Sequence, residues 1–253
     1  MKKTLHISLF VLFLVATVSL IGYIYYLRGQ QKVSAVKINI IRTTEDGFIN
    51  KEKIKLELKE KNNIDIKNIN NISLNQLENQ LAQNPYIEKA DVLLNIHSEL
   101  VINIQEKIPV MRVFNESNES FYIDSNAKLF PLSTDYSPVL TIASGNITCS
   151  YLGSAITPDK IEPVQKDLCE LGKLLRKNQL LNAQITQVYV TENGEYELLP
   201  LLGEHIILLG NMDDAAEKIE NLEVFYKNIL VKKGWNSYST INLQFKNQVV
   251  CIK

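Results

Sequence analysis

The residues able to do chemistry are few and scattered. Three cysteines, Cys149, Cys169 and Cys251, lack the spacing of a zinc site or of a disulfide framework. An oxidising compartment would still permit a Cys149–Cys169 bridge. The three histidines, His6, His97 and His205, are far apart in the sequence. His6 lies in an apolar run and the other two in strand-like runs, so all three read as packing or surface positions. Carboxylate pairs occur at Glu45–Asp46 and Asp213–Asp214. Both sit near turns or helix starts, where Asp and Glu are favoured for backbone reasons. Gly145, Gly153, Gly172 and Gly194 are isolated, so no glycine-rich loop can cradle a phosphate. No Gly-x-Ser-x-Gly elbow and no His-Glu-x-x-His pair occurs. The triplets starting at Asn71, Asn115, Asn118 and Asn146 match an N-glycan acceptor, a pattern that an Asn-rich chain produces by chance.

Catalysis, a metal site and a cofactor are therefore not expected. Nucleic acid is not expected either. The net charge is -1, and Arg occurs only at Arg28, Arg42, Arg112 and Arg176. Nucleic-acid proteins use arginine more heavily for bidentate contacts. No small-molecule substrate is indicated. The remaining class is a scaffold or binding protein.

Leu5 to Leu27 contains no Asp, Glu, Lys or Arg. As a helix this stretch is about 34 Å long, enough to cross a bilayer core. Tyr23, Tyr25 and Tyr26 cluster where an interfacial aromatic belt would lie. A cleaved signal peptide would have a shorter apolar core and small residues at its end. A buried core helix would show a polar face. Residues 5–27 thus read as a membrane span in contact with lipid, with residues 1–4 before it. Lys2, Lys3, Arg28 and Lys32 flank both ends, so charge alone leaves the orientation open.

After a short polar linker, Val33 to Ile41 alternates with period two and predicts a half-buried strand. Ile54 and Leu58 mark a helix over 50–61. Ser73 with Gln76 predicts a capping box for a helix carrying Leu74, Leu77 and Leu81. Asn84–Pro85 ends it. Strand-like runs follow at 86–96 and 100–105, joined by a turn over 95–99. The order strand, helix, helix, strand, strand suits two helices on one face of a three-stranded sheet.

Beyond Pro109 come short strand-like runs at 110–114, 121–124, 128–132 and 139–141. A helix opens at Thr157–Pro158 or at Pro163 and carries Val164, Leu168, Leu171 and Leu175 to about Asn178. Strands are expected at 185–191, 196–200 and 205–209, closed by Gly210. Asp214 and Glu217 should cap a second helix with Ala215, Ile219, Leu222, Tyr226 and Ile229 on its buried face, ended by Gly234. Runs at 240–245 and 248–252 predict a hairpin around Lys246–Asn247. The fold class is α+β: a transmembrane helix, a βααββ domain over 33–109, and a β-rich domain over 110–253 with two helices on a mostly antiparallel sheet. The interaction surface expected for it is an open sheet edge.

The stretch from Leu81 to Val92 resembles the Asn-Pro-x-Ile-x-x-Ala-x-Val run of a POTRA domain. It continues through Leu100-Val-Ile-Asn-Ile104-Gln-Glu106-Lys-Ile-Pro109-Val110. That resembles the junction of the bacterial cell-division FtsQ/DivIB family, written Leu-x-Ile-x-Val-x-Glu-Arg-x-Pro-Val. Phe121-Tyr-Ile-Asp124-Ser-Asn-Ala-Lys-Leu-Phe130 is similar to the family's Tyr-x-Ile-Asp-x-x-Gly-x-x-Phe strand pair. Ala127 stands in place of the usual Gly, and Lys107 in place of the usual Arg. Ile241-Asn-Leu-Gln-Phe245 resembles the final Val-Asp-Leu-Arg-Tyr strand, with Asn, Gln and Phe replacing Asp, Arg and Tyr.

The resemblance spans the chain and implies a non-enzymatic divisome scaffold. It implies a single-pass protein of the cytoplasmic membrane with its N-terminus inside. The ectodomain would lie outside, concentrated at the division septum. It implies FtsB/FtsL-type partners, bound by a strand added beside the last strand. By position Phe245, Asn247 and Gln248 take the contact positions, with Leu243, Val249 and Val250 beside them. Two rivals are a POTRA protein of outer-membrane or secretion assembly, and an envelope enzyme with an unrecognised site. A single POTRA unit with an anchor and no barrel fits the first poorly, and the scattered His and Cys fit the second poorly.

Overall fold

A computed structural model describes residues 2–62, 64, 71–151 and 161–253. The expected helix opening at Thr157–Pro158 lies outside the described residues. The chain divides into two compact units. One runs to Arg42 and resumes over Ile49–Glu106; the other comprises Thr43–Phe48 and Lys107–Lys253.

The first unit begins with helix α1, Lys2–Gly29. Its segment Phe10–Leu27 is long and apolar enough to cross a membrane, with mean hydropathy 2.1. Thr17 turns its hydroxyl back to the Leu14 carbonyl at 2.8 Å, the usual way a helix satisfies such a group internally. Strands β1 (Ala35–Ile41), β2 (Ile87–Leu94) and β3 (Glu99–Glu106) form a sheet in the order β1-β3-β2. β1 is parallel to β3 and β2 is antiparallel to it.

Period-two alternation shows most clearly in the central strand, where Leu100, Ile102 and Ile104 are wholly buried. Helices α2 (Lys51–Asn62) and α3 (Leu74–Ala82) supply Ile54, Leu58, Leu77 and Leu81 to the same core. Asn50 Oδ1 accepts from the Glu52 and Lys53 amides and starts α2. Ser73 Oγ accepts from the Gln76 amide and starts α3. The β2–β3 turn rests on Asn95, whose Oδ1 accepts from the His97 and Glu99 amides.

The second unit is built on a nine-stranded sheet. Its strands are β4 (Pro109–Phe114), β5 (Ser120–Asp124), β6 (Leu129–Pro131), β7 (Ile142–Gly145) and β8 (Ile185–Val190). They continue with β9 (Tyr196–Pro200), β10 (Ile206–Gly210), β11 (Thr240–Asn242) and β12 (Val250–Ile252). The spatial order is β12-β11-β10-β9-β8-β7-β4-β5-β6. Five of the eight neighbouring pairs are antiparallel. Among the described residues, helices α4 (Pro163–Lys177), α5 (Gln179–Gln184), α6 (Ala215–Phe225) and α7 (Val231–Lys233) accompany the sheet.

Several expectations need correction. The run 139–141 is not a strand: Val139 is fully exposed, and the chain joins the sheet only at Ile142. Its polar Ser144 and Gly145 hid that strand. Helix α5 was not expected. Asn178 ends α4, and its Oδ1 then accepts from the Leu181 amide at 3.0 Å to start a new helix. Asp214 does not cap α6 through its side chain, because it is held left-handed at φ 53°.

The α6 face is also re-phased. A π-helical turn at Tyr226–Leu230 buries Leu230 and leaves Ile229 only half-buried. Ala127 keeps the β5–β6 turn despite its Cβ. Its φ is 60°, which costs about 1–2 kcal/mol for a residue other than Gly. Asp124 Oδ1 holds that turn by accepting from the Asn126 and Lys128 amides, each at 2.8 Å.

Candidate functional site

Cys149, Cys169, Tyr196 and His205 of the second unit are all buried, and Cys251 is partly so. Cys149 and Cys169 are both free thiols, so the permitted bridge is absent. Burial pushes the Cys149 thiol up to about 12, so it stays protonated and inert at neutral pH. Tyr196 gives its hydroxyl to Asp167 Oδ2 at 2.8 Å, and burial together with that carboxylate raises its pKa. Among the described residues no group of three or more His, Cys, Asp or Glu could hold a metal ion.

His205 is 1% exposed and sits just before β10. Its Nδ1 lies 3.2 Å from the Trp235 carbonyl oxygen, which can only accept, so Nδ1 carries the proton. Nε2 then accepts from the Tyr226 hydroxyl at 2.7 Å. Burial lowers the His205 pKa, against the pull of the Trp235 carbonyl.

Below about pH 6.5 the unfolded chain binds a proton that the folded chain refuses until lower pH. Stability is therefore full above the unfolded value and lost as pH falls through it. Denaturant titrations between about pH 7.5 and 5.5 should show His205 contributing a loss of up to about 1.4 kcal/mol per unit. The His205→Gln chain should lack that component. Equal slopes for both chains would refute this.

What remains open is the sheet edge. Among the described residues no strand pairs with the outer side of β12. β12 runs antiparallel to β11 with Thr240 opposite Ile252 and Asn242 opposite Val250. Val250 and Ile252 are 39% and 59% exposed, while Cys251 between them packs partly against the core. Both strands are shorter than expected. Thr240–Asn242 is paired, and residues 243–249 form a connecting turn.

That turn gathers the expected contact residues. Phe245 is 53% exposed, and Asn247 and Gln248 are exposed beside it. Asn247 is left-handed at φ 59°, a conformation asparagine tolerates. The Gln248 amide donates to the Phe245 carbonyl at 3.2 Å. Val249 is half-buried against the core. Leu243 departs from its expected role. It is 2% exposed, and its amide donates to the Leu208 carbonyl at 2.9 Å, so it anchors the turn and offers no contact surface.

Residues 243–247 form one wall of a cavity of about 220 Å³ whose other wall includes Asn211, Asp213, Asp214 and Glu217. Sequence reasoning took Gln244 only as a replacement for Arg in the final strand, with no role of its own, and treated Gly210 only as a strand end. The positive φ of Gly210, 73°, shows that more than strand termination is at work there.

Two family models match the chain. The model for FtsQ/DivIB, C-terminal related, matches residues 108–252. The model for a POTRA-like domain matches residues 31–105. No curated protein matches the chain.

Proposed function

The chain belongs to the FtsQ/DivIB, C-terminal related family, and on that premise we propose that it is a membrane-anchored scaffold that receives a divisome partner along β12. The family is one of non-enzymatic cell-division scaffolds, and the POTRA-like unit agrees with it. Partners of the FtsB/FtsL type would add a strand to the free side of β12, with Phe245, Asn247, Gln248, Val249 and Val250 around the contact. The observation that carries this reading is the outermost position of β12, with Val250 and Ile252 exposed. Strand addition is driven by backbone donors and acceptors, which any sequence supplies, so the side chains around it are free to vary. Residues 5–27 would hold this edge outside the cytoplasmic membrane at the septum, bounded by a POTRA domain over 33–109 and a β domain over 110–253.

Affinity capture of the full-length chain from its own cell envelope tests the reading. Identified division proteins are the expected result; recovery of none of them would overturn it. A fusion of an enzyme active only outside the cytoplasm to Lys253 tests the orientation. Activity is expected, and activity only from a cytoplasmic reporter would reverse the topology.

A further inference from the structure

β10 closes at Gly210, where φ is 73°. A Cβ built there would fall 2.8 Å from Gln244 Cγ and 2.9 Å from its Nε2. The Gln244 side chain therefore occupies the space that a side chain at 210 would fill. It is held from other directions as well. The Gln244 backbone amide donates to Asn242 Oδ1 at 2.8 Å, and its side-chain Oε1 accepts from Asn242 Nδ2 at 3.3 Å. Its Nε2 donates to Glu195 Oε2 at 3.4 Å. Leu243, one residue earlier, is locked in the core, while Phe245, one residue later, projects into solvent. Gln244 is thus the last residue held by side-chain hydrogen bonds before Phe245. It is itself exposed and contributes nothing to the core.

Resting on the reading that β12 and Phe245 receive a partner, we infer that Gln244, lying over the bare Cα of Gly210, is a positioning residue for Phe245. Its contacts hold the turn 245–248 in one arrangement before the partner arrives. Binding then spends none of its free energy on ordering that turn. A chain whose turn is in the competent arrangement only a tenth of the time binds about tenfold more weakly. Gly210 contributes by having no side chain to displace Gln244.

Two measurements on the full-length chain test this. Hydrogen exchange in detergent micelles reads the turn without any partner. Gln244→Ala should speed exchange of the Gln248 amide about ninefold or more, the rise in open population when a turn closed at least nine-tenths of the time falls to a tenth. The Leu243 amide and the thermal midpoint should not move. Gln244→Met keeps the stem over Gly210 and should retain most of the protection. Unchanged Gln248 exchange in Gln244→Ala overturns the inference.

The second measurement places a photo-crosslinking benzophenone residue at Val250 in growing cells and reads the adduct yield. Gln244→Ala should lower the yield about tenfold when Phe245 is present and not at all in the Phe245→Ala chain. Equal losses in both backgrounds overturn the inference, because Gln244 then acts independently of Phe245. No adduct even from the otherwise unaltered chain counts against strand addition itself, and the exchange result alone then decides on the positioning role.

Discussion

Replacing Gly172 by valine is expected to unfold the second unit at temperatures the unaltered chain withstands. Gly172 lies where α4 comes down on β4. A Cβ there would sit 2.9 Å from the Val110 carbonyl oxygen and 3.3 Å from Val110 Cβ. The first of these neighbours is backbone in a paired strand and cannot swing aside. The helix would have to lift, and Leu168, Leu171 and Leu175, all wholly buried, would lift with it. Overpacking of that kind costs about 3 kcal/mol or more when relief requires moving a whole element. For a unit of this size, such a loss corresponds to a fall in Tm of roughly 10 °C. Alanine at 172 gains up to about 1 kcal/mol of helix propensity and brings the same Cβ contacts without valine's two γ-methyl groups, so its penalty is smaller. Thermal unfolding followed by near-ultraviolet circular dichroism distinguishes the two variants. A Gly172→Val chain with an unchanged midpoint would show that α4 does not approach β4 so closely.

Glutamate at Phe245 should weaken partner capture by about a hundredfold or more while the ectodomain stays folded. Phe245 is half exposed and outside the core, so the free chain loses little by the change. Docking would cover the ring, and removing a buried phenylalanine forfeits about 2 kcal/mol. Covering a carboxylate without a partner adds a desolvation penalty of at least the same order. Together these exceed about 2.7 kcal/mol, a factor of a hundred. Deleting Gln248 to Lys253 removes β12 itself and should give a similar loss. β11 stays in the sheet through its parallel pairing with β10. Capture from the native envelope, quantified for each variant, is the measurement. Undiminished recovery from both variants would remove the last strand from the interface.

Much of the fold was readable because it rests on local patterns. Leu100, Ile102 and Ile104 alternate as a strand against a core must, and Ser73 with Gln76 marks a helix start by hydrogen bonding alone. The failures arose where distant structure overrides the local signal. Ile142–Gly145 has little strand propensity and is held by parallel neighbours on both sides, β4 and β8. Asn178 looked like an end because nothing nearby says that a capping residue can also be a beginning.

The site was legible in part. The sequence placed a strand pair at the end of the chain with Phe245 closing its first strand, beside a turn at Lys246–Asn247. It could not say which of those strands lies outermost, since that depends on β11 finding β10 across an intervening helix. It also could not say that Leu243 turns inward. That follows from its amide continuing the β10–β11 pairing one residue past the strand.

The π-helical turn at Tyr226–Leu230 has a consequence for how the chain tolerates change. A turn closed from i to i+5 takes in about one residue more than an α-turn, which sets back everything after it by roughly 100° about the helix axis. That setback accompanies the delivery of the Trp235 carbonyl to His205, nine residues after the Tyr226 hydroxyl that meets the same ring. Removing one residue from this stretch would restore a regular helix and swing Trp235 away from the imidazole. Lys227 and Asn228 face solvent and can be replaced almost freely. Their number cannot change, so substitution should be common in this segment and insertion or deletion rare.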